Sequence, residues 1–302
     1  MHKSKNAIKQ SLGERIFSYI NYFILTLIMF ICIYPFYYVF INSIVSSNEA
    51  NKGVLLWPEH VVFVTYSQLF AGTDIPNAFI ISICRSVATT LLVCVMTSMF
   101  AYLITQKDML GRRIVYRFTI ITMYVGAGLI PWYLTMRMYH LDNNFLLYVL
   151  PYCLNAYYMI LIKTFIESIP DSLEESASID GAGFFTIFFR IIFPLITPIV
   201  ATVAIYQFVG SWNTYMDNYL LVSNTKLQTL QLILFHYLNQ AQAIVTQMKA
   251  GNLTSDSSKA AQISVVSVQN TITIITVLPI MLVYPFLQRY FTKGLMLGAV
   301  KG

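Results

Sequence analysis

Long apolar stretches alternate with short polar segments along almost the whole chain. Six stretches are nearly free of Asp, Glu, Lys and Arg, and only the second contains a charge, at Arg85; they are residues 17–43, 76–105, 118–136, 144–162, 191–216 and 263–288. A bilayer core needs about 20 apolar residues per helix. Because lipid cannot satisfy bare backbone amides, each stretch is predicted to be helical. The pattern therefore predicts an all-α integral membrane protein with six transmembrane helices.

Composition and charge placement refine this prediction. The chain is 57% hydrophobic and 11% charged, with a formal net charge of +6. Lys and Arg concentrate at the amino end, between the second and third stretches, between the fourth and fifth, and at the carboxyl end. Basic loops are typical of the cytoplasmic side of a membrane protein, so both termini are predicted to be cytoplasmic. The basic residues indicate topology, and no nucleic-acid partner is expected.

The predicted spans divide the chain into three parts. These are a cytoplasmic segment 1–16, a transmembrane domain 17–290 and a cytoplasmic tail 291–302. Within the domain, residues 163–190 form a long cytoplasmic loop, and residues 46–75 and 223–262 form two outer loops. The basic amino end is similar to a signal sequence, but the apolar run after it is too long for one, so an uncleaved first helix is expected.

The loop between the fourth and fifth stretches carries local helix signals, in SIPDSLEESASIDGAGFFTIFFRIIFP. Asp171 and Ser172 each precede a Glu by three residues, so either pair can form a capping box. Gly181 supplies the left-handed residue that commonly ends a helix. We therefore predict a short helix over about 172–180, a glycine turn, and a second apolar helix that stops near Pro194.

This loop resembles the shared cytoplasmic motif of the permeases of binding-protein-dependent ABC importers, which is EAA, three residues, G, nine residues, then I-x-L-P. The matching residues here keep that spacing throughout: Glu175-Ser176-Ala177, Gly181 and Ile191-Ile192-Phe193-Pro194. Two residues depart from the motif, Ser176 for the first Ala and Phe193 for Leu. Both changes are mild, and neither is expected to abolish the helix.

The resemblance extends over nearly the whole chain. AYLITQKDMLGRR at 101–113 and Trp212-Asn213 are similar to family segments at the ends of the second and fifth spans. YFTKGLMLGAVKG at 290–302 resembles the tail of carbohydrate-uptake permeases, which are related to the maltose permease. GLIPWYL at 128–134 resembles the subgroup associated with oligosaccharides from complex polysaccharides. The resemblance implies a type I ABC importer permease for a sugar or oligosaccharide, in the bacterial cytoplasmic membrane.

Such permeases dock the short helix in a cleft of a separate ATPase, whose nucleotide-driven closure moves the membrane helices. The implied partners are a second permease subunit, two ATPases, an extracytoplasmic solute-binding protein and membrane lipid. The second permease is expected to be a different chain, with a homodimer as the alternative. The resemblance implies that the following residues couple this chain to the ATPase: Glu174, Glu175, Ser176, Ala177, Asp180, Gly181 and Pro194.

The chain has no GxxxxGK[ST] phosphate loop, so it is not expected to hydrolyse ATP. ATP and Mg are expected on the partner ATPases, and no cofactor or metal on this chain. Two other classes remain as alternatives. An ion-driven secondary transporter usually keeps acids deep in its spans. An intramembrane enzyme would show a motif such as HExxH or GxSxG, and a channel would show a filter-like segment. The sequence favours neither.

Candidate residues for a substrate pathway are Arg85, Trp132, Trp212, Tyr215 and Asp217. A central Arg costs about 2.5–3.5 kcal/mol on insertion scales, so Arg85 either pairs with a partner or lines the passage. The aromatic side chains either stack on sugar rings or gather at the membrane interface, as such residues commonly do. Asp217, at the outer end of the fifth span, is interpreted as an interface residue rather than a ligand.

Overall fold

Helices account for most of the chain that the computed structural model describes, which is residues 11–45, 49, 57–58, 60–72, 74–249 and 267–282. These residues belong to two compact units. One comprises the described residues up to 67 and those from 241 to 274, and the other comprises 68–240 and those from 275 onward. Most of segment 1–16, the tail 291–302 and parts of both predicted outer loops lie outside the described residues.

The first unit contains helix α1, Leu12–Ile44. A capping box starts it, in which the Ser11 hydroxyl accepts from the backbone N–H of Glu14 and the Glu14 carboxylate accepts from that of Ser11. Most of its apolar side chains are exposed, and burial begins only near Ile41. An apolar helix exposed in this way is suited to lipid or to another membrane protein. Helix α2, Val64–Gly72, follows.

Helix α3, Ile75–Thr105, is the central helix of the second unit. Its buried side is dominated by small and hydroxyl-bearing residues: Ala78, Ser82, Ser86, Thr89, Thr97, Ser98 and Ala101. Small side chains let membrane helices approach closely. Accordingly, α3 packs against α6, Ala156–Ile166, and α9, Thr197–Asn213.

The predicted third span, 118–136, is not one helix. Helix α4, Arg112–Tyr124, ends before a break, and helix α5, Leu129–Met138, leaves at 119°. Gly128 has φ 85° and ψ 177°, a conformation that is essentially restricted to glycine. The prediction of one continuous helix was therefore wrong, because Gly128 lets the backbone turn inside an apolar run.

The fourth and fifth predicted spans also bend. Residues 145–152 form two 3₁₀ turns, Phe145–Tyr148 and Leu150–Tyr152, and meet α6 at 47°. After the short helix α7, Ser172–Ile179, helix α8 covers Phe184–Leu195 and contains a π-helical turn. It meets α9 at 79°. The predicted helix stop near Pro194 is confirmed, because α8 ends at Leu195. The predicted fifth span 191–216 therefore contains the end of α8 as well as α9, rather than one helix.

The remaining helices are α10, Met216–Leu221, α11, Leu230–Lys249, and α12, Ser267–Leu282. Residues 263–266 and 283–288 of the sixth predicted span lie outside the described residues. Within the described ranges, α1 and α3 are long and apolar enough to cross a membrane as single helices. The three pairs of helices that meet at 119°, 47° and 79° are long and apolar enough to cross a membrane only when the two members of each pair are taken together.

Candidate functional site

Helix α7 has the short form that the sequence predicts. Its end is defined by Gly181, at φ 81°, where the N–H of Gly181 donates to the Ser178 carbonyl and that of Ala182 to the Ala177 carbonyl. A left-handed residue of this kind satisfies carbonyls that the helix end would leave unpaired. An added Cβ at Gly181 would meet nothing within 4 Å, so the requirement for glycine is conformational rather than steric.

The predicted capping boxes at the start of α7 are absent. Asp171 precedes the first helical residue but makes no side-chain cap. Its carboxylate instead accepts from Lys107 Nζ at 2.6 Å, and this hydrogen bond raises the pKa of Lys107. Lys107 lies just beyond the end of α3. The prediction failed because a cation from a distant part of the chain competes for the carboxylate.

Glu174 is held from inside the protein. Its Oε2 accepts from the Tyr102 hydroxyl at 3.1 Å and from Gln106 Nε2 at 3.1 Å. Tyr102 is 1% exposed, and its ring stacks on Phe184 at 4.9 Å and Phe188 at 5.5 Å. These contacts tie both α7 and the start of α8 to the end of α3. Sequence reasoning named Glu174 but missed Tyr102 and Gln106, because the bonds span about 70 residues.

The outer side of α7 offers a different chemistry. Glu175, Ser176 and Asp180 are exposed, and Ile179 is 86% exposed. Ala177 is partly buried against the apolar cluster that contains Tyr102 and Phe188. Pro194 lies near the end of α8, so most of α8 separates it in sequence from α7 and the glycine turn. The exposed side therefore combines carboxylates with one large apolar side chain.

Arg85 and Asp217 form a buried ion pair in the second unit. The two terminal guanidinium nitrogens donate to the two carboxylate oxygens at 3.1 and 2.7 Å. Arg85 is 1% and Asp217 2% exposed. The Tyr152 hydroxyl also donates to Asp217, at 3.2 Å, and the guanidinium lies 4.6 Å from the Tyr148 ring centroid. Asp217 is thus the buried partner that Arg85 requires, and its position at an interface stays a prediction.

The three aromatic candidates lie in apolar packing. Trp212 is buried between Phe79 and Phe208, and its indole N–H donates to the Thr276 carbonyl at 3.1 Å. Trp132 packs against the apolar cluster that contains Met136 and Leu147, and Tyr215 stacks on Phe235 at 4.6 Å. None of the three lines the cavity beside Arg85. The structure does not bring the five pathway candidates together.

The match to a known family covers residues 96–296, and the family is described as the binding-protein-dependent transport system inner membrane component. The chain belongs to this family. It is thus a multi-pass component of the inner membrane and a part of a transport system rather than an enzyme. The match spans both α7 and the Asp217 region.

Two curated relatives and one solved structure are similar over nearly their full lengths. The polygalacturonan/rhamnogalacturonan transport system permease protein YtcP of Bacillus subtilis (strain 168) is 30% identical over 96% of this chain and 99% of that protein. The diacetylchitobiose uptake system permease protein NgcG of Streptomyces coelicolor is 27% identical over 96% and 91%. A chain from the crystal structure of a bacterial ABC transporter involved in the import of the acidic polysaccharide alginate has a TM-score of 0.81, with 27% identity over 94% of this chain and all of that one. The chain therefore has the fold of an ABC importer permease.

Proposed function

We propose that this chain is a transmembrane permease subunit that moves a sugar or oligosaccharide across the cytoplasmic membrane, driven by ATP hydrolysis on separate ATPase subunits. Family membership supports the transport role, and the saccharides for which YtcP and NgcG are named support a saccharide substrate. The proposed topology has six spans, with three of them bent, and both termini in the cytoplasm. In this topology α7 lies on the cytoplasmic side, where an ATPase can reach it.

Helix α7 is proposed as the coupling helix. Its outer side, with Glu175, Asp180 and Ile179, is the surface that an ATPase would contact. Its inner side is tied through Glu174 to Tyr102 at the end of α3. A force applied to α7 would reach α3 through that bond and through the stacked rings of Tyr102 and Phe188, because packed aromatic groups resist compression.

The proposed assembly contains further subunits. A second permease, expected to be a different chain, completes the pathway, and a solute-binding protein delivers substrate to the outer loops 46–75 and 223–262. ATP and Mg bind to the two ATPases and not to this chain. Arg85 and Asp217 are proposed to lie beside the pathway, whereas Trp132, Trp212 and Tyr215 are proposed as packing residues of the same bundle.

The observation that carries the proposal is the turn at Gly181, which ends α7 in a conformation that glycine alone adopts without strain. Gly181→Val places a β-branched residue at φ 81°, although its Cβ has open space. The strain of roughly 1–3 kcal/mol would distort the end of α7. Gly183→Val is the matched control, because Gly183 has φ −79° and equally open space.

The experiment is affinity purification of the tagged chain from native membranes, followed by identification of the subunits retained. We expect the wild type and Gly183→Val to retain an ATPase with a phosphate loop, and Gly181→Val to lose most of it while remaining in the membrane. A wild-type chain that transports substrate with no ATPase attached would contradict the proposal and favour an ion-driven transporter.

A further inference from the structure

Two loops of the second unit are joined by hydrogen bonds. One, residues 139–144, connects α5 to the first 3₁₀ turn, and the other, residues 222–229, connects α10 to α11. In the first loop, two residues other than glycine have positive φ, His140 at 53° and Asn143 at 52°. Such a backbone conformation is uncommon for residues with a side chain, and it persists where surrounding contacts hold it.

The side chain of Asn143 makes the contacts between the two loops. Its Oδ1 accepts from the backbone N–H of Ser223 at 2.7 Å, from the Ser223 hydroxyl at 3.1 Å and from the backbone N–H of Asn224 at 2.9 Å. The backbone N–H of Asn143 donates to the Leu221 carbonyl at 3.0 Å. Because a backbone N–H can only donate, the amide atom that faces these groups must be the oxygen. One side-chain oxygen therefore fixes the backbone where the chain leaves α10.

The residues that follow are anchored to α3. The Lys226 carbonyl accepts from Asn77 Nδ2 at 2.8 Å. The backbone N–H of Leu230, the first residue of α11, donates to Ser82 Oγ at 2.9 Å, and Leu230 is fully buried. The start of α11 is thus held against α3, while the segment before it is held through residue 143.

The bonds to residue 143 lie at the surface. Asn143, Ser223 and Asn224 are all exposed, so water competes for the same donors. Each bond therefore contributes only modestly to the free energy of unfolding. Their main effect is on geometry, because three donors on two consecutive residues must converge on one oxygen atom, and this excludes other paths of the backbone.

We propose that Asn143 is a positioning residue, which holds the first residues of the outer loop 223–262 in the orientation that the solute-binding protein contacts. The inference rests on the proposed function, whose topology places both loops on the outer side of the membrane. It adds a residue from a second loop on which that contact depends. Thr225 and Lys226, which follow the anchored residues, are exposed, so a partner can reach this part of the loop.

The chain offers matched variants. Asn143→Gly removes the acceptor but keeps the backbone conformation, because glycine adopts positive φ readily. Asn143→Asp retains an acceptor oxygen, and combining it with Asp142→Asn keeps the net charge. His140→Gly is the control, since it also replaces an exposed residue of positive φ by glycine but leaves the bonds to Ser223 and Asn224 in place.

The first measurement is amide hydrogen exchange by mass spectrometry, on the assembled transporter in detergent. In Asn143→Gly, exchange over residues 221–229 should become several-fold faster, because two N–H groups lose their acceptor. The charge-neutral double variant and His140→Gly should exchange at the wild-type rate. Exchange over α6 should be the same in all four proteins, which shows that the fold is intact.

The second measurement is photo-crosslinking in intact cells, with a photoreactive amino acid at Thr225. In the wild type it should crosslink to a protein that mass spectrometry identifies as a solute-binding protein. Asn143→Gly should lower the yield several-fold per copy of the chain in the membrane, with the ATPase retained and basal ATP hydrolysis unchanged. The double variant and His140→Gly should keep the wild-type yield.

Several outcomes would overturn the positioning role. They are unchanged exchange or unchanged crosslinking in Asn143→Gly, equal losses in Asn143→Gly and the double variant, and loss of the ATPase together with the crosslink, which would make residue 143 a requirement of the fold. A transporter that retains its ATPase but gives no crosslink from position 225 to a solute-binding protein fails this inference alone. If the wild type retains no ATPase, the proposed function fails with it.

Discussion

At the scale of single residues, the Arg85–Asp217 pair is the interaction with the largest consequences. It buries two full charges with two direct hydrogen bonds between them. Removing one member of such a pair leaves an uncompensated charge inside the protein, whereas replacing both by apolar residues of similar volume is often neutral. The pair therefore constrains stability through the balance of its charges rather than through either residue alone.

This argument predicts that substitutions of the two residues have non-additive effects on the free energy of unfolding. Arg85→Met should lower the free energy of unfolding by about 3–5 kcal/mol, and Arg85→Met with Asp217→Leu should recover most of that loss. Denaturant titration of the purified chain in detergent, followed by tryptophan fluorescence, measures both. Glu167→Gln is the control, since its bond to Lys163 joins side chains that are 51% and 15% exposed and such pairs contribute at most about 1 kcal/mol. A loss in Arg85→Met no larger than in the control would contradict the account.

The sequence alone predicted that Arg85 needs a buried environment, but not which residue would pair with it. The free-energy cost of a charged side chain in a membrane span follows from that residue and its position alone. The identity of the partner depends on packing, because Asp217 is 132 positions away. Hydropathy places Asp217 at the end of an apolar stretch but does not show which side chain it contacts.

At the scale of elements, α7 is held by the end of α3 and the two residues after it, through Glu174 in the helix and Asp171 just before it. The sequence predicted this helix because its length and glycine end are local signals. It did not predict how the carboxylates are used, since Lys107, Tyr102 and Gln106 are brought close only by the tertiary fold. The break after α4 was likewise missed, although glycine residues mark it, whereas the predicted stop near Pro194 is confirmed by the end of α8 at Leu195.

The bond between Tyr102 and Glu174 gives a prediction about the rigidity of α7. Tyr102→Phe keeps the stacked ring but removes the hydroxyl donor, leaving Gln106 as the remaining donor to that carboxylate oxygen. Amide hydrogen exchange over residues 174–182 should become several-fold faster, because local opening then breaks fewer bonds. Hydrogen exchange with mass spectrometry on the purified chain measures this. Tyr124→Phe, at an exposed tyrosine, should leave the exchange unchanged. Equal rates in wild type and Tyr102→Phe would show that the bond does not restrain α7.

At the scale of the whole molecule, the amino-acid pattern predicted the class of protein more accurately than it predicted the directions of the helices. Apolar content and the placement of basic residues are signals averaged over many positions. They therefore identify an integral membrane protein even where the predicted end of a single helix is wrong. Each bent pair of helices has the length and apolar composition of a membrane span, but its two helices are not collinear. The shared motif around Glu175 and Gly181 identified the family because its spacing is fixed by one helix and one turn.

The central claim is that a separate ATPase grips the outer side of α7. Site-specific photo-crosslinking in intact cells tests it, with a photoreactive amino acid placed in turn at Ile179, Glu175 and Glu174. The exposed positions Ile179 and Glu175 should crosslink to an ATPase subunit, and Glu174, which faces Tyr102, should do so far less. Crosslinking at none of these positions to an ATPase, or equal yields at the inner and outer positions, would contradict the account.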